Sequence, residues 1–470
     1  MKVNKTAVVC MFIYIIITVL RVLKHIPWFD EAHAWTIAEQ LNFIDMFNYV
    51  KNEGHFFIWQ TLLYPFAHSH IIPYPYPMQI LSWSFCTAAL CLMWWKAPFN
   101  NWIKALITFS YPFLGCYGVI ARCYSIGILL LFILAVMFNK KSKYPKTYAL
   151  LLILCANTSA MAVIGATAFG LLFLHDIIFK NKLSKKDYIL TMTILAIGAL
   201  LIIYQVFFID YFSSIEEKSD SFITIAMFEN TYVYSNLLIN SLLNVIFAIP
   251  ILIYLFKDKV SAFFISFTFV ILLILGFVLY GINFWHTYFF YVYLIIAFWL
   301  NKSDLNKIKI FASVILGLIS FIFIFHYPEP VSARGVYKSD ADKIEQYIES
   351  DEILKQSVIL HNTGSIYEIL PYLSEKPYKV RNYCTIEENT DYNLFNIFLG
   401  GCVRGNIFGQ AQKHPEIIKA LAAENTYAYT LADKNPQINN YGVIMADGYS
   451  ILIKKYKCYE EHCFWKIEVI

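Results

Sequence analysis

The chain has 470 residues, of which 59% are hydrophobic and only 15% charged, with a mean hydropathy of +0.54. A soluble domain is roughly half apolar and about a quarter charged, so this composition excludes a simple soluble enzyme, a disordered chain and a secreted disulfide miniprotein; it points to a polytopic membrane protein. The formal net charge of +4 gives no electrostatic support for a nucleic-acid partner.

Charge is distributed unevenly. Residues 327–470 hold 34 of the 70 charged residues, and residues 1–326 hold the other 36. The first region carries 22 Lys/Arg against 14 Asp/Glu, the second 15 against 19. Residues 1–326 therefore read as a transmembrane region. Residues 327–470 read as a C-terminal domain of ordinary composition.

A membrane-spanning helix needs about 20 mostly apolar residues. Eleven segments are read as spans: 6–23, 77–95, 102–120, 123–138, 147–162, 164–179, 188–209, 236–256, 260–281, 287–300 and 308–326. The first is not read as a removable signal peptide, because His25-Ile26-Pro27-Trp28 follows it rather than a small-residue cleavage site. A long first loop, 24–76, comes next. Its apolar stretch His55–His68 is about 14 residues, too short to span, and reads as a helix lying in the outer interface. Trp94-Trp95 reads as an interfacial aromatic anchor.

Placing the N-terminus inside puts 17 of the 22 basic residues of this region on the inner face, among them Lys96, Lys140, Lys141, Lys146, Lys180 and Lys186. The positive-inside rule supports that orientation. With an odd number of spans, the C-terminal domain then lies outside the cytoplasm.

The outer surface gathers chemistry. Loop one carries Trp28-Phe29-Asp30-Glu31-Ala32-His33-Ala34-Trp35 and then Glu53-Gly54-His55. Adjacent carboxylates at the mouth of a membrane helix need water, a cation or a reaction. Asp30 is also able to N-cap a helix over about 31–41, and the two roles can coexist. Arg122, in Ala121-Arg122-Cys123-Tyr124, is either an interfacial side chain snorkelling to head groups or a phosphate clamp. His286, in Asn283-Phe284-Trp285-His286-Thr287, is either structural or part of the same site. Asp30, Glu31, Glu53, His55, Arg122 and His286 all come to one side. A carboxylate beside a cation at the lipid–water boundary suits attack on a lipid phosphate ester, the carboxylate taking a proton from the acceptor and the cation, or a metal, holding the leaving phosphate.

At these residues the sequence resembles the GT-C class of integral membrane glycosyltransferases, whose relatives include protein mannosyltransferases, aminoarabinose transferases and Rgt-like bacterial sugar transferases. The resemblance covers about residues 6–330. It rests on the acidic pair Asp30-Glu31 just after the first span. Three further stretches look like family elements: Glu53-Gly54-His55-Phe56-Phe57-Ile58-Trp59, without the usual prolines; Ala121-Arg122-Cys123-Tyr124-Ser125-Ile126-Gly127; and Trp285-His286-Thr287-Tyr288, with Trp in place of Arg. The resemblance implies a hexosyl- or pentosyltransferase of the cell membrane. Its donor would be a polyprenyl-phosphate sugar entering from the lipid bilayer, and its acceptor an extracytoplasmic glycan, lipid or protein. Asp30 would be the general base and Glu31 an acceptor or metal contact, a divalent metal ion being used by some members and not by others. Arg122 and His286 would bind the donor phosphate, and Glu53, His55 and Tyr124 the acceptor.

The tail, 327–470, reads as mixed α/β. Helices are predicted over 339–350 and 364–373, and strands over 357–361, 426–431, 441–445 and 450–456. The fold class expected is thus a polytopic α-helical membrane protein of GT-C type, about eleven spans, with a C-terminal extracytoplasmic α/β domain. Ten cysteines are present. Four lie in the tail (Cys384, Cys402, Cys458 and Cys463), where an outer location permits disulfides, Cys458–Cys463 being the local pair. A zinc site using His462 has poor spacing. Two rival functions remain from composition alone: a transporter or lipid-linked-sugar flippase, and a membrane scaffold. A transporter places charge near mid-membrane, whereas here the outer loops carry it.

Overall fold

The computed structural model describes residues 4–50, 56–180, 183–207, 251–275, 284–303, 306–325, 338–361, 372, 379–382, 426–431, 441–446, 449–459 and 462–469. Five helices open the chain: α1 (Lys5–Val22), α2 (Phe29–Gln40), α3 (Phe43–Val50), α4 (Ile58–Ser69) and α5 (Tyr76–Lys96). Then come α6 (Asn101–Phe109), α7 (Tyr124–Met137), α8 (Pro145–Ala156), α9 (Ala160–Lys180) and α10 (Lys185–Phe207). They are followed by α11 (Lys259–Ile274), α12 (Phe284–Leu300), α13 (Asn306–Phe325), α14 (Lys338–Glu349) and α15 (Glu352–Lys355). Four helices are long and apolar enough to cross a membrane among the described residues: α1, α5, α9 and the Lys185–Gln205 part of α10. The protein is a helical membrane protein to that extent.

The chain forms two compact units. One contains Met1–His25, Gly54–Trp59 and Met78–Pro330; the other contains Ile26–Glu53, Gln60–Pro77 and Val331–Ile470. Most of loop one thus clusters with the tail rather than with the helices that flank it in sequence.

In the first unit, α1 shows how the apolar pattern is used. It buries Met11, Tyr14 and Thr18 on one face and turns Val8, Val9, Phe12, Ile13, Ile16 and Leu20 outward. A water-facing protein does not expose such a continuous aliphatic stripe; hydrocarbon accepts it without cost. α8 packs on α7, α9 and α10, and α11 on α9 and α12.

Three predicted spans end differently from their sequence boundaries. The expected 102–120 span stops at Phe109 and passes into a π turn over Pro112–Cys116. The chain turns extended at Ser110, two residues before Pro112, and Pro112 then opens the π turn at a position where its missing N–H leaves no bond unmade. The expected 147–162 and 164–179 spans meet instead at Asn157–Ser159. The Ser159 hydroxyl accepts from the Ala162 N–H at 3.1 Å and starts α9. The Gln205 amide donates to Asn157 Oδ1 at 2.7 Å and accepts from the Phe57 N–H at 3.3 Å. The same break therefore pins the start of α4. At 12 residues, α4 is too short to span.

Asp176 collects Lys141 at 2.9 Å and Lys180 at 2.6 Å, tying the α7–α8 turn to α9, and Lys146 meets Asp187 of α10 at 3.0 Å. The tryptophan pair divides: Trp95 is exposed under Lys96, as an anchor should be, but Trp94 is buried and donates to the Thr108 hydroxyl at 2.9 Å. Trp94 is thus a packing residue.

In the tail, β1 (Val358–His361), β2 (Lys379–Asn382), β3 (Thr426–Leu431), β4 (Tyr441–Ala446), β5 (Tyr449–Tyr459) and β6 (His462–Val469) form one sheet in the order β2-β1-β3-β6-β5-β4. β1 runs parallel to β2 and β3, and the remaining neighbours are antiparallel. β5 and β6 are a hairpin in which Cys458 stands opposite Cys463, and the two are joined as a disulfide. Tyr347 of α14 stacks on Tyr459 with ring centroids 4.3 Å apart. Asp351 caps α15 through the Ile353 and Leu354 N–H groups and accepts from the Tyr456 hydroxyl at 3.1 Å. The predicted helix over 364–373 lies outside the described residues except for Tyr372, as do Cys384 and Cys402.

Candidate functional site

Two clusters of polar groups are built, one in each unit.

The loop-one cluster begins at the N-terminus of α2. Trp28 is the extended N-cap residue, and the Glu31 carboxylate reaches back to its N–H at 3.0 Å. An indole has no acceptor to return the bond, so this is a one-sided capping box. Asp30 lies within the first turn and is not the N-cap that the sequence allows it to be; both carboxylates still sit where the helix dipole favours negative charge. They differ in access: Glu31 is fully buried, Asp30 half-buried. Burying a carboxylate is expensive unless it is hydrogen-bonded, and the Trp28 N–H meets part of that need.

One turn beyond Glu31, Trp35 is buried and its indole N–H donates to Glu39 at 3.4 Å. Its ring meets Tyr74 at 5.6 Å, and Tyr74 meets Tyr372 edge-on at 4.8 Å. Burial, then the nearness of Tyr76, Asp342 and Glu31, pushes the Tyr372 phenol above its ordinary value, so it stays protonated and able to donate. The His33 ring lies 6.4 Å from Tyr49. Nothing in the sequence pattern singles out Tyr372, more than 300 residues from Glu31. Glu53 and His55 lie outside the described residues.

The second cluster joins the entry of α7 to the start of α12. Tyr124 and His286 are 162 residues apart, and the Tyr124 hydroxyl lies 3.1 Å from His286 Nε2. The Trp285 indole N–H donates to the same nitrogen at 3.1 Å. An indole can only donate, so Nε2 is an acceptor and the proton of the neutral ring sits on Nδ1. Arg122 is buried, with its guanidinium within electrostatic reach of that ring.

The surroundings hold these side chains in place. The Tyr117 hydroxyl donates to the Trp285 carbonyl at 2.7 Å. Ser82 of α5 donates to the Ile120 carbonyl at 2.8 Å and lies 2.9 Å from the Ser125 hydroxyl. At Gly118 an added Cβ would come within 2.4 Å of the Phe113 carbonyl oxygen, so the strap between the π turn and Arg122 closes only around a glycine. The three sequence-predicted residues Arg122, Tyr124 and His286 are therefore brought together. Tyr117, Trp285 and Ser82 complete the frame. Trp285 stands in the sequence element that pointed to His286, whereas Tyr117 and Ser82 carry no signal of their own.

No group of three His, Cys, Asp or Glu side chains is placed to hold a metal ion among the described residues. Asp30 and Glu31 supply two carboxylates, and one Glu31 oxygen accepts the Trp28 N–H. These two residues do not by themselves make a metal site. In comparisons with known proteins, no family model and no curated protein matches this sequence.

Proposed function

We propose that the protein is a membrane glycosyltransferase that moves a sugar from a polyprenyl-phosphate donor to an extracytoplasmic acceptor. The observation that carries the reading is the buried Arg122–Tyr124–His286 cluster in a chain this apolar. A permanently charged guanidinium costs several kcal/mol to bury and is kept within membrane helices where it has work to do. Its planar fork suits a phosphate.

In the proposed reaction the acceptor oxygen attacks the anomeric carbon while the bond from that carbon to the phosphate oxygen breaks, with inversion. The acceptor's proton passes to Asp30, which is the more accessible of the two carboxylates; Glu31 holds an acceptor hydroxyl. Within the helical unit, Arg122 and the Nδ1–H of His286 are proposed to bind the donor phosphate, for which a cation and an N–H donor are suited. The chain is proposed to cross the membrane about eleven times with its N-terminus in the cytoplasm and its tail outside. Basic residues concentrated on one set of loops and the Cys458–Cys463 disulfide support that orientation.

The test is reconstitution of the full chain in nanodiscs with polyprenyl-phosphate hexoses and pentoses. The expected result is release of polyprenyl phosphate coupled to glycosylation of envelope lipid or glycan, lowered about a hundred-fold or more by Asp30→Asn. Movement of the intact lipid-linked sugar between leaflets, without cleavage, would sink the reading in favour of a flippase.

A further inference from the structure

Ion pairs clamp three helix ends of the first unit together. Asp176 of α9 holds Lys141 of the α7–α8 turn at 2.9 Å and Lys180 at 2.6 Å, and Asp187 of α10 holds Lys146 of α8 at 3.0 Å. Asp176 and Asp187 are the only acidic residues between positions 138 and 190, so these pairs engage every carboxylate of that stretch. Lys140, Lys143, Lys185 and Lys186 are left exposed at the same helix ends, and none of the four is in an ion pair among the described residues.

Their placement invites an anion. The Ser184 hydroxyl accepts from the Asp187 N–H at 3.1 Å and fixes the start of α10. Lys185 and Lys186 therefore stand in the first turn of a 23-residue helix, the end at which the helix dipole opposes a cation and favours an anion. Lys143 reaches over the Tyr144 ring, 5.3 Å from its centroid, which steadies it beside them.

The rim of the patch is apolar. Phe179 is 74% exposed next to Lys180, and Ile178, Tyr144, Tyr188 and Ile189 are exposed around it. In a chain whose outward faces meet hydrocarbon, lysines beside such side chains mark the edge of the bilayer. A ligand that satisfies both features carries a negative headgroup on an apolar tail. A free phosphate leaves the rim uncovered, and a soluble acidic protein would have to displace the hydrocarbon from it. We infer that the α7–α8 turn, the end of α9 and the start of α10 form a binding site for the phosphate headgroups of anionic phospholipids. In the orientation proposed above these belong to the cytoplasmic leaflet. The inference rests on that orientation only in naming the leaflet, and it does not depend on glycosyl transfer.

Native mass spectrometry of the full chain in neutral detergent tests it, with dioleoyl phosphatidylglycerol and dioleoyl phosphatidylcholine as competing probes. The expected result is retention of the anionic lipid over the zwitterionic one by about ten-fold or more. That preference should fall about five-fold in Lys143→Gln and again in Lys186→Gln, and survive in Lys143→Arg/Lys186→Arg. Both positions are exposed, and the wild-type comparison stands without either variant. Equal retention of the two lipids by the wild type, or glutamine variants that keep the full preference, would overturn the proposal. So would displacement of phosphatidylglycerol by inorganic phosphate, which would assign the lysines to a free anion, or by a polyglutamate peptide, which would assign them to an acidic protein segment. A lipid preference in a chain without transferase activity would leave this site standing and remove the enzymatic reading; transferase activity without the preference would do the reverse.

Discussion

The helices of the first unit and the sheet of the tail apply one rule to two solvents. In α1 and α10 the outward side chains are Val8, Phe12, Ile16, Ile197 and Leu200, while the polar contacts point inward: Tyr124 to His286, Ser82 to Ser125, Gln205 to Asn157. The tail reverses this. It buries Ile344, Ile348, Leu354, Phe464 and Trp465 and exposes Lys454, Lys455 and Lys457. Apolar surface leaves water in both cases, but in the first unit it can face hydrocarbon. Polar groups in that unit must then find one another inside. Its interior is where reactive groups have to be sought, whereas in the tail buried polarity serves mainly to join elements.

The largest expected effects test whether the acidic turn of loop one, which clusters with the tail, and the inward polarity of the helical unit are chemistry or packing. Asp30→Asn removes the proposed base while keeping the side chain's size; transfer should fall by about 10²–10⁴-fold with expression unchanged. Arg122→Lys, which keeps charge but loses the fork, should raise the donor KM more than it lowers kcat. If both variants transfer normally, the polar clusters are packing features and the two regions differ less than proposed.

Composition and period made much of this contrast legible. The apolar runs around α1, α5, α9 and α10 fall where hydropathy puts them, and α14, β3, β4 and β5 follow the predicted helix and strands closely. β6 was missed because His462–Val469 follows β5 after two residues, so a single strand pattern hides a hairpin. β2 is four residues long, below what alternation can reveal. The π turn at Pro112–Cys116 looks like continuous helix in hydropathy, because apolarity reports solvent and not ladder geometry. At the site, Arg122, Tyr124 and His286 were legible through short motifs. Tyr372 and Tyr117 were not, because their relevance comes only from contacts across long stretches of chain.

A second way to sharpen the comparison is to break a buried ion pair in the helical unit. Lys141 is buried and held by Asp176, which itself is part-exposed and shared with Lys180. Asp176→Leu leaves Lys141 without that counter-charge and should cost about 2–3 kcal/mol, read as a lower unfolding midpoint in detergent. The double variant Lys141→Met/Asp176→Leu should recover most of the loss, because an apolar pair suits this environment. A double variant as unstable as the single one would show that Lys141 is held by its other contacts.

The corresponding cut in the tail is the Cys458–Cys463 disulfide. It closes a loop with a sequence separation of only 5, so its chain-entropy contribution is about 2 kcal/mol. Cys458→Ser/Cys463→Ser should lower tail stability by about that much and leave the helical unit's unfolding unchanged. Maleimide labelling of intact cells checks the compartment as well. If both thiols react in the wild type without reductant, the tail faces a reducing side and the proposed orientation fails.

The smallest effect concerns how buried polarity in the tail depends on pH. Burial pushes the Asp351 carboxyl up, but the Leu354 N–H, the Tyr456 hydroxyl, the Ile353 N–H and the nearby Lys457 together hold it below its ordinary value of 3.8. A depressed pKa means that the unfolded chain takes the proton first as acid is added. The stabilisation is therefore complete above the ordinary value and is lost as pH falls through the lower, folded value. Unfolding of the tail, followed by Trp465 fluorescence between pH 6 and pH 2, should show a loss of about 1 kcal/mol in the acid part of that range. Asp351→Asn keeps a capping oxygen but cannot titrate, so it should start slightly less stable at pH 6 and lose less on acidification. Asp351→Ala should lose the cap as well, about 1 kcal/mol at every pH. If Asp351→Asn and the wild type fall in parallel, the carboxylate's charge contributes nothing, and the join between α15 and β5 rests on the Tyr456 contact and packing alone.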